Sequence, residues 1–216
     1  MHFPDFFDSA PTIKMRDPLA EFLGACEGGL LEYHYADVVA LAGHSCPTVA
    51  VAFLMTRAAL HALYANDIPE RGGICVEFRD GETAGTTGVI ANVAGLITGV
   101  TQKNGFKGIG GHFDRRNSLF FDSPMAGEIR FSRLDNDAAV EVTAHLDKVP
   151  VNPRVMELLR RCVGGGAEAG EAEEFRRLWQ GKVRTFLLDY KDDPDVISVT
   201  RVAPVAATVE THGSWN

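Results

Sequence analysis

Apolar positions along the chain follow two periods. The longest apolar run begins at Pro47 and continues as TVAVAFLMTRAALHALYA to about Ala65, with Arg57 its one formal charge. A run without a polar stripe predicts an interior helix, covered by its own domain or by a second subunit. Pro at the first helical position suits that start, because the N–H it lacks would have had no partner there. The stretch VIANVAGLITGV, after Gly88, predicts a second buried helix. Residues Leu30 to Leu41 (LLEYHYADVVAL) carry apolar groups at helical spacing and predict a helix that stops at Gly43. Two more helices are expected late in the chain, over Pro153 to Val163 and Glu171 to about Leu188. The second turns Phe175, Leu178, Val183 and Phe186 inward.

The shorter period marks strands. Ile74, Val76 and Phe78 alternate with Cys75 and Glu77, the pattern of a half-buried strand. Ser118 to Phe121, Glu128 to Arg133 and Ala139 to Ala144 follow as antiparallel strands, with turns at Ser123-Pro124 and Asp135-Asn136-Asp137. Helices and strands stand in blocks rather than alternating, which predicts an α+β class with an antiparallel sheet packed against helices. Residues 1–29, interrupted by Pro4, Pro11, Pro18 and Gly28-Gly29, form an N-terminal arm with a short helix. Residues 30–202 form one α+β domain, and 203–216, which lack a packing pattern, a loose C-terminal tail.

Composition removes several function classes. The 216 residues are 45% hydrophobic and 23% charged, ordinary for a globular chain. A net charge of −8 without a basic cluster argues against nucleic acid as a partner. No apolar segment reaches the ~18 residues of a membrane span, and Met1-His2-Phe3-Pro4-Asp5 lacks the basic, then apolar, start of a signal peptide. The expected compartment is the cytoplasm. Cys26, Cys46, Cys75 and Cys162 form no CxxC pair and read as free thiols.

One segment concentrates chemistry. Gly43-His44-Ser45-Cys46-Pro47 places an imidazole and a thiol two residues apart in the turn entering the apolar helix. Four backbone N–H groups lack partners at such a helix start, and the helix dipole puts positive potential there. That location favours the thiolate, the form that ligates a metal or attacks an electrophile. An imidazole and a thiolate together suit zinc or a related transition ion. A plainer role for the same residues is capping of the helix.

The stretch GHSCPTVAVAFLMTRAAL resembles the opening HGHxCPG motif of the FmdE family, the FwdE-like domains named after a component of formylmethanofuran dehydrogenase. The following strand, Ile97-Thr98-Gly99 and the late helix around Phe175, Leu178, Trp179 and Val183 fall in the family's order, so the likeness spans roughly residues 30–190. It implies an FwdE-like α+β domain, often dimeric, with a zinc site at the His/Cys turn and a link to one-carbon or molybdoenzyme metabolism. His44 and Cys46 match the second His and the Cys of the motif. Ala42 stands where many members carry the first His, and the family's TGCT element reads Thr98-Gly99-Val100-Thr101, without its Cys.

The ligand shell therefore needs other donors. His112, after the glycine-rich Gly105 to Gly111 turn, is the first candidate. His34 and Asp37, one helical turn apart, are the second. The same glycines, followed by Arg115 and Arg116, suit the binding of a small anionic molecule. Two functions stay open: a zinc protein, catalytic if the ion keeps an open position, or a non-catalytic module that binds a cofactor such as haem or iron, or that assembles a homodimer.

Overall fold

The computed structural model describes residues 2–203. In chain order its elements are β1 (Ile13–Arg16), α1 (Pro18–Phe22), β2 (Leu30–Tyr33), α2 (Tyr35–Ala42), α3 (Pro47–Tyr64), β3 (Ile74–Phe78) and α4 (Thr87–Thr98). There follow β4 (Leu119–Phe120), β5 (Ile129–Arg133), β6 (Ala139–Ala144), α5 (Pro153–Val163), α6 (Glu171–Arg184) and β7 (Ile197–Val202). The class is α+β.

The main sheet has the order β4-β3-β5-β6-β7. Its pairs are antiparallel except β3–β4, which run parallel with Val76 opposite Leu119. The sheet is thus mixed, where an antiparallel one was expected. The reason is the connection: α4 lies between β3 and β4, and a crossover helix returns the chain in the direction in which it left. β7 adds an edge strand that side-chain patterning did not reveal.

Ile74, Val76 and Phe78 of β3, Ile129 and Phe131 of β5, and Val140 and Val142 of β6 are buried. α3 packs against this sheet, and α2 and α4 pack against α3. Phe53, Leu54 and Met55 are almost wholly shielded, so the chain itself covers the helix that lacked a polar stripe. On the opposite sheet face Glu77, Arg130 and Glu141 stand in register, and Arg130 reaches Glu141 at 2.7 Å.

The segment 30–41 is not one helix. Leu30–Tyr33 pairs antiparallel with β1, Ile13 opposite Tyr33, and helix begins only at Tyr35. The boundary is set at His34, whose backbone N–H donates to Asp37 Oδ2 at 2.7 Å. That is the reciprocal half of a capping box, and it ends the strand by starting the helix. Residues 1–29 supply Phe7, Ile13 and Met15 to the core, with Phe7 edge-on to Tyr35 at 4.8 Å between ring centres. The tail expected over 203–216 lies, from Pro204 onward, outside the described residues. Among the described residues no helix is long and apolar enough to cross a membrane.

Candidate metal centre at the α2–α3 turn

α2 closes at Gly43, whose φ of 72° is the left-handed cap conformation that glycine adopts without a steric cost. α3 opens four residues later, at Pro47. Between the two, the His44 ring nitrogen Nδ1 lies 2.9 Å from the carbonyl oxygen of Ala42. A carbonyl only accepts, so Nδ1 is the donor in this contact, and in the neutral ring the lone pair is on Nε2. His44 is exposed and lines a cleft of about 160 Å³ with Leu41, Ala42, Val89, Asn92 and Val93. Metal-ligating histidines commonly tie one ring nitrogen to a backbone carbonyl in this way, which leaves the other for the ion.

Cys46 is the N-cap of α3. Its Sγ accepts the Val49 N–H at 3.5 Å, and the residue is buried at 9% exposure. The thiol therefore meets one orphan donor of the helix start and backs onto the core.

Ser45, between them, is clamped from a distant part of the chain. Trp179 Nε1 and Gln180 Nε2 on α6 donate to the Ser45 carbonyl at 3.0 and 3.2 Å. Ser45 Oγ donates to Gln180 Oε1 at 3.0 Å and lies 3.0 Å from the Tyr35 hydroxyl. Burial pushes the Tyr35 phenol well above its ordinary value, so it stays a neutral hydrogen-bonding group. Nothing in the sequence marks this clamp, because its partners lie far apart in chain order.

The other expected residues sit elsewhere. His112 is exposed at the end of a tight turn in which Ile109 and His112 exchange backbone hydrogen bonds of 2.9 and 3.0 Å. Gly110 and Gly111, at φ 57° and 83°, make that turn feasible. His112 lines a separate cavity with Glu70, Arg71 and Arg115, and this cavity shares no wall with the His44 cleft. His34 and Asp37 form the cap of α2 already described.

Arg115 is buried and points its Nη2 at Asp17 Oδ1, 2.7 Å away, while Arg71 Nη1 meets Asp17 Oδ2 at 2.9 Å. Asp17 also accepts the Leu19 and Ala20 N–H groups at 2.8 and 3.2 Å. The carboxylate that Arg115 binds is thus the chain's own. Burial alone would raise the Asp17 carboxyl, but hydrogen bonds from Arg71 and the Ala20 N–H, with the charges of Arg115 and Arg71, hold it below its ordinary value. Exposed Arg116 pairs with Asp114 at 2.6 Å, and its hydrogen bonds hold that carboxyl down to about 2.

The donors at the turn fit zinc in kind, a borderline nitrogen and a soft sulfur, and fall short of it in number. Among the described residues no group of three His, Cys, Asp or Glu side chains stands close enough to hold a metal ion. No protein-family model matches the chain, and no curated protein matches it.

Proposed function

We propose that the chain is a cytoplasmic metal-binding protein similar to the FmdE family, with His44 and Cys46 as its own donors and zinc as the ion. The observation that carries this reading is the His44–Ala42 hydrogen bond. It ties Nδ1 to the backbone as a donor, which leaves Nε2 as the ring's second nitrogen on a residue that lines an open cleft. Cys46, two residues on at the start of α3, adds the thiol. When bound, such an ion supplies Lewis-acid character or an activated water.

Two donors from one chain leave the shell incomplete, so the proposal includes a homodimer whose second copy brings a further donor to the turn. Leu41, 49% exposed and on the rim of the His44 cleft, favours that cover. A link to one-carbon or molybdoenzyme metabolism rests on the family resemblance alone.

The apolar character of the cleft also favours a second reading, a non-catalytic module for cofactor binding or assembly. A volume of about 160 Å³ is too small to enclose a haem within one chain, so a haem iron would sit between subunits. Colour separates the two readings, since a zinc protein is colourless.

The direct experiment is elemental analysis of protein purified without chelator or affinity-tag metal. Zinc near stoichiometric with the chain or its dimer, lost in His44→Ala and in Cys46→Ser, is the expected result. Equal metal in wild type and variants, or none in any of them, overturns the proposal.

A further inference from the structure

Beyond the His44 cleft, the surface between α4 and β4 holds two confluent cavities of about 320 and 290 Å³. Glu82, Gln102, Leu119 and Phe121 line both, so they form one groove. Its size is that of a small-molecule site. Asn92, on the α4 ridge, lines this groove and the His44 cleft as well.

The chemistry of the walls is specific. Gln102, Asn117, Asn104 and Asn92 contribute four side-chain amides. Each amide offers donors and an acceptor, the combination that hydroxyl groups require. Gln102 Nε2 donates to Glu82 Oε1 at 3.0 Å. That bond orients the pair and leaves Glu82 Oε2, Gln102 Oε1 and one amide hydrogen available. Phe120, 43% exposed, supplies an apolar ring at the edge.

The formal charges in the groove are Glu82 and Asp122 against Lys103 alone, which disfavours anionic ligands such as nucleotides. Asn117 and Asp122, which bracket β4, both hold left-handed backbone conformations, with φ of 54° and 56°. Asn and Asp adopt that region readily, and here they turn the chain at either end of the strand that forms one wall of the groove.

We propose that this groove binds a neutral, polyhydroxylated ring, a pyranose sugar or its disaccharide. Phe120 packs on the C–H face of the ring, and the Glu82–Gln102 pair with Asn117 holds its hydroxyls. The site needs neither a metal nor His44.

The test is protein-observed NMR titration of the full chain with glucose, galactose, mannose, N-acetylglucosamine, maltose and cellobiose, using adenosine and benzoate as comparison probes. The expected result is saturable shifts at residues 82, 92, 101–104 and 117–122 with at least one sugar. Phe120→Ala and Gln102→Ala each weaken that binding about tenfold with the rest of the spectrum unchanged, whereas His44→Ala leaves it intact. Absence of saturation by every sugar at millimolar concentration overturns the proposal. So do saturation elsewhere on the surface, preference for adenosine or benzoate, or unchanged binding in Phe120→Ala and Gln102→Ala.

Discussion

Trp179 donates its indole N–H to the carbonyl oxygen of Ser45 across 134 positions of sequence, at 3.0 Å. The turn carrying His44 and Cys46 is therefore held from α6 as well as by the helices it joins. Trp179→Phe keeps most of the ring packing and deletes this donor. The expected cost is about 1 kcal/mol, since Gln180 still reaches the same carbonyl. Urea denaturation reads that cost. Weaker metal retention in Trp179→Phe than in an exposed control such as Arg176→Ala checks the positioning role.

Cys46 has a capping role and a proposed metal-ligating role, and one substitution separates them. Its sulfur caps α3 through the Val49 N–H, and serine is a good N-cap. Cys46→Ser should therefore change stability by no more than about 1 kcal/mol, while abolishing metal binding because the thiolate donor is gone. Paired thermal melts and metal analysis check it. A variant that unfolds would place the sulfur's importance in packing.

Asp17 neutralises two arginines at a buried junction of residues distant in sequence. Asp17→Asn leaves Arg115 buried without its counter-charge and should cost about 3–5 kcal/mol in chemical denaturation. The pH dependence follows from the lowered carboxyl. A carboxyl whose folded value lies below its unfolded value stabilises fully above the unfolded value of about 3.9, and that contribution is lost as pH falls through the lower folded value. The acid limb of the stability curve should accordingly be flatter in Asp17→Asn than in wild type.

Gly72 stands at φ 85°, and a Cβ there would overlap the Arg115 guanidinium. Gly72→Ala must strain the backbone and displace Arg115 from Asp17 together. A loss of more than about 2 kcal/mol is expected, measurable by thermal or urea unfolding. Gly110→Ala, at positive φ in open space, provides the comparison with backbone strain alone.

The local parts of this molecule were legible because local signals determine them. Pro47 and the apolar run after it mark α3, and the alternation at Ile74, Val76 and Phe78 marks β3. Pairings were harder. Leu30–Tyr33 fits helical spacing as well as strand spacing, and only its ladder with Ile13–Arg16 decides between them. β4 was expected as a strand, but its parallel direction was missed, because side-chain alternation has the same period in either strand direction. At the turn, GHSCP marks the residue types, but not that His44 lines a cleft while Cys46 backs onto the core. Asp17 with Arg115, and Ser45 with Trp179, are meetings of distant segments that no sequence spacing records.

The proposed metal-binding function stands or falls with whether His44 and Cys46 share one ion. A crystal structure of metal-loaded protein, with anomalous data across the zinc and iron edges, decides it. The expected result is a peak at the zinc edge about 2.0–2.1 Å from His44 Nε2 and about 2.3 Å from Cys46 Sγ, with a donor from a second copy beside them. An α2–α3 turn without an anomalous peak, or a metal held by other residues, would contradict it.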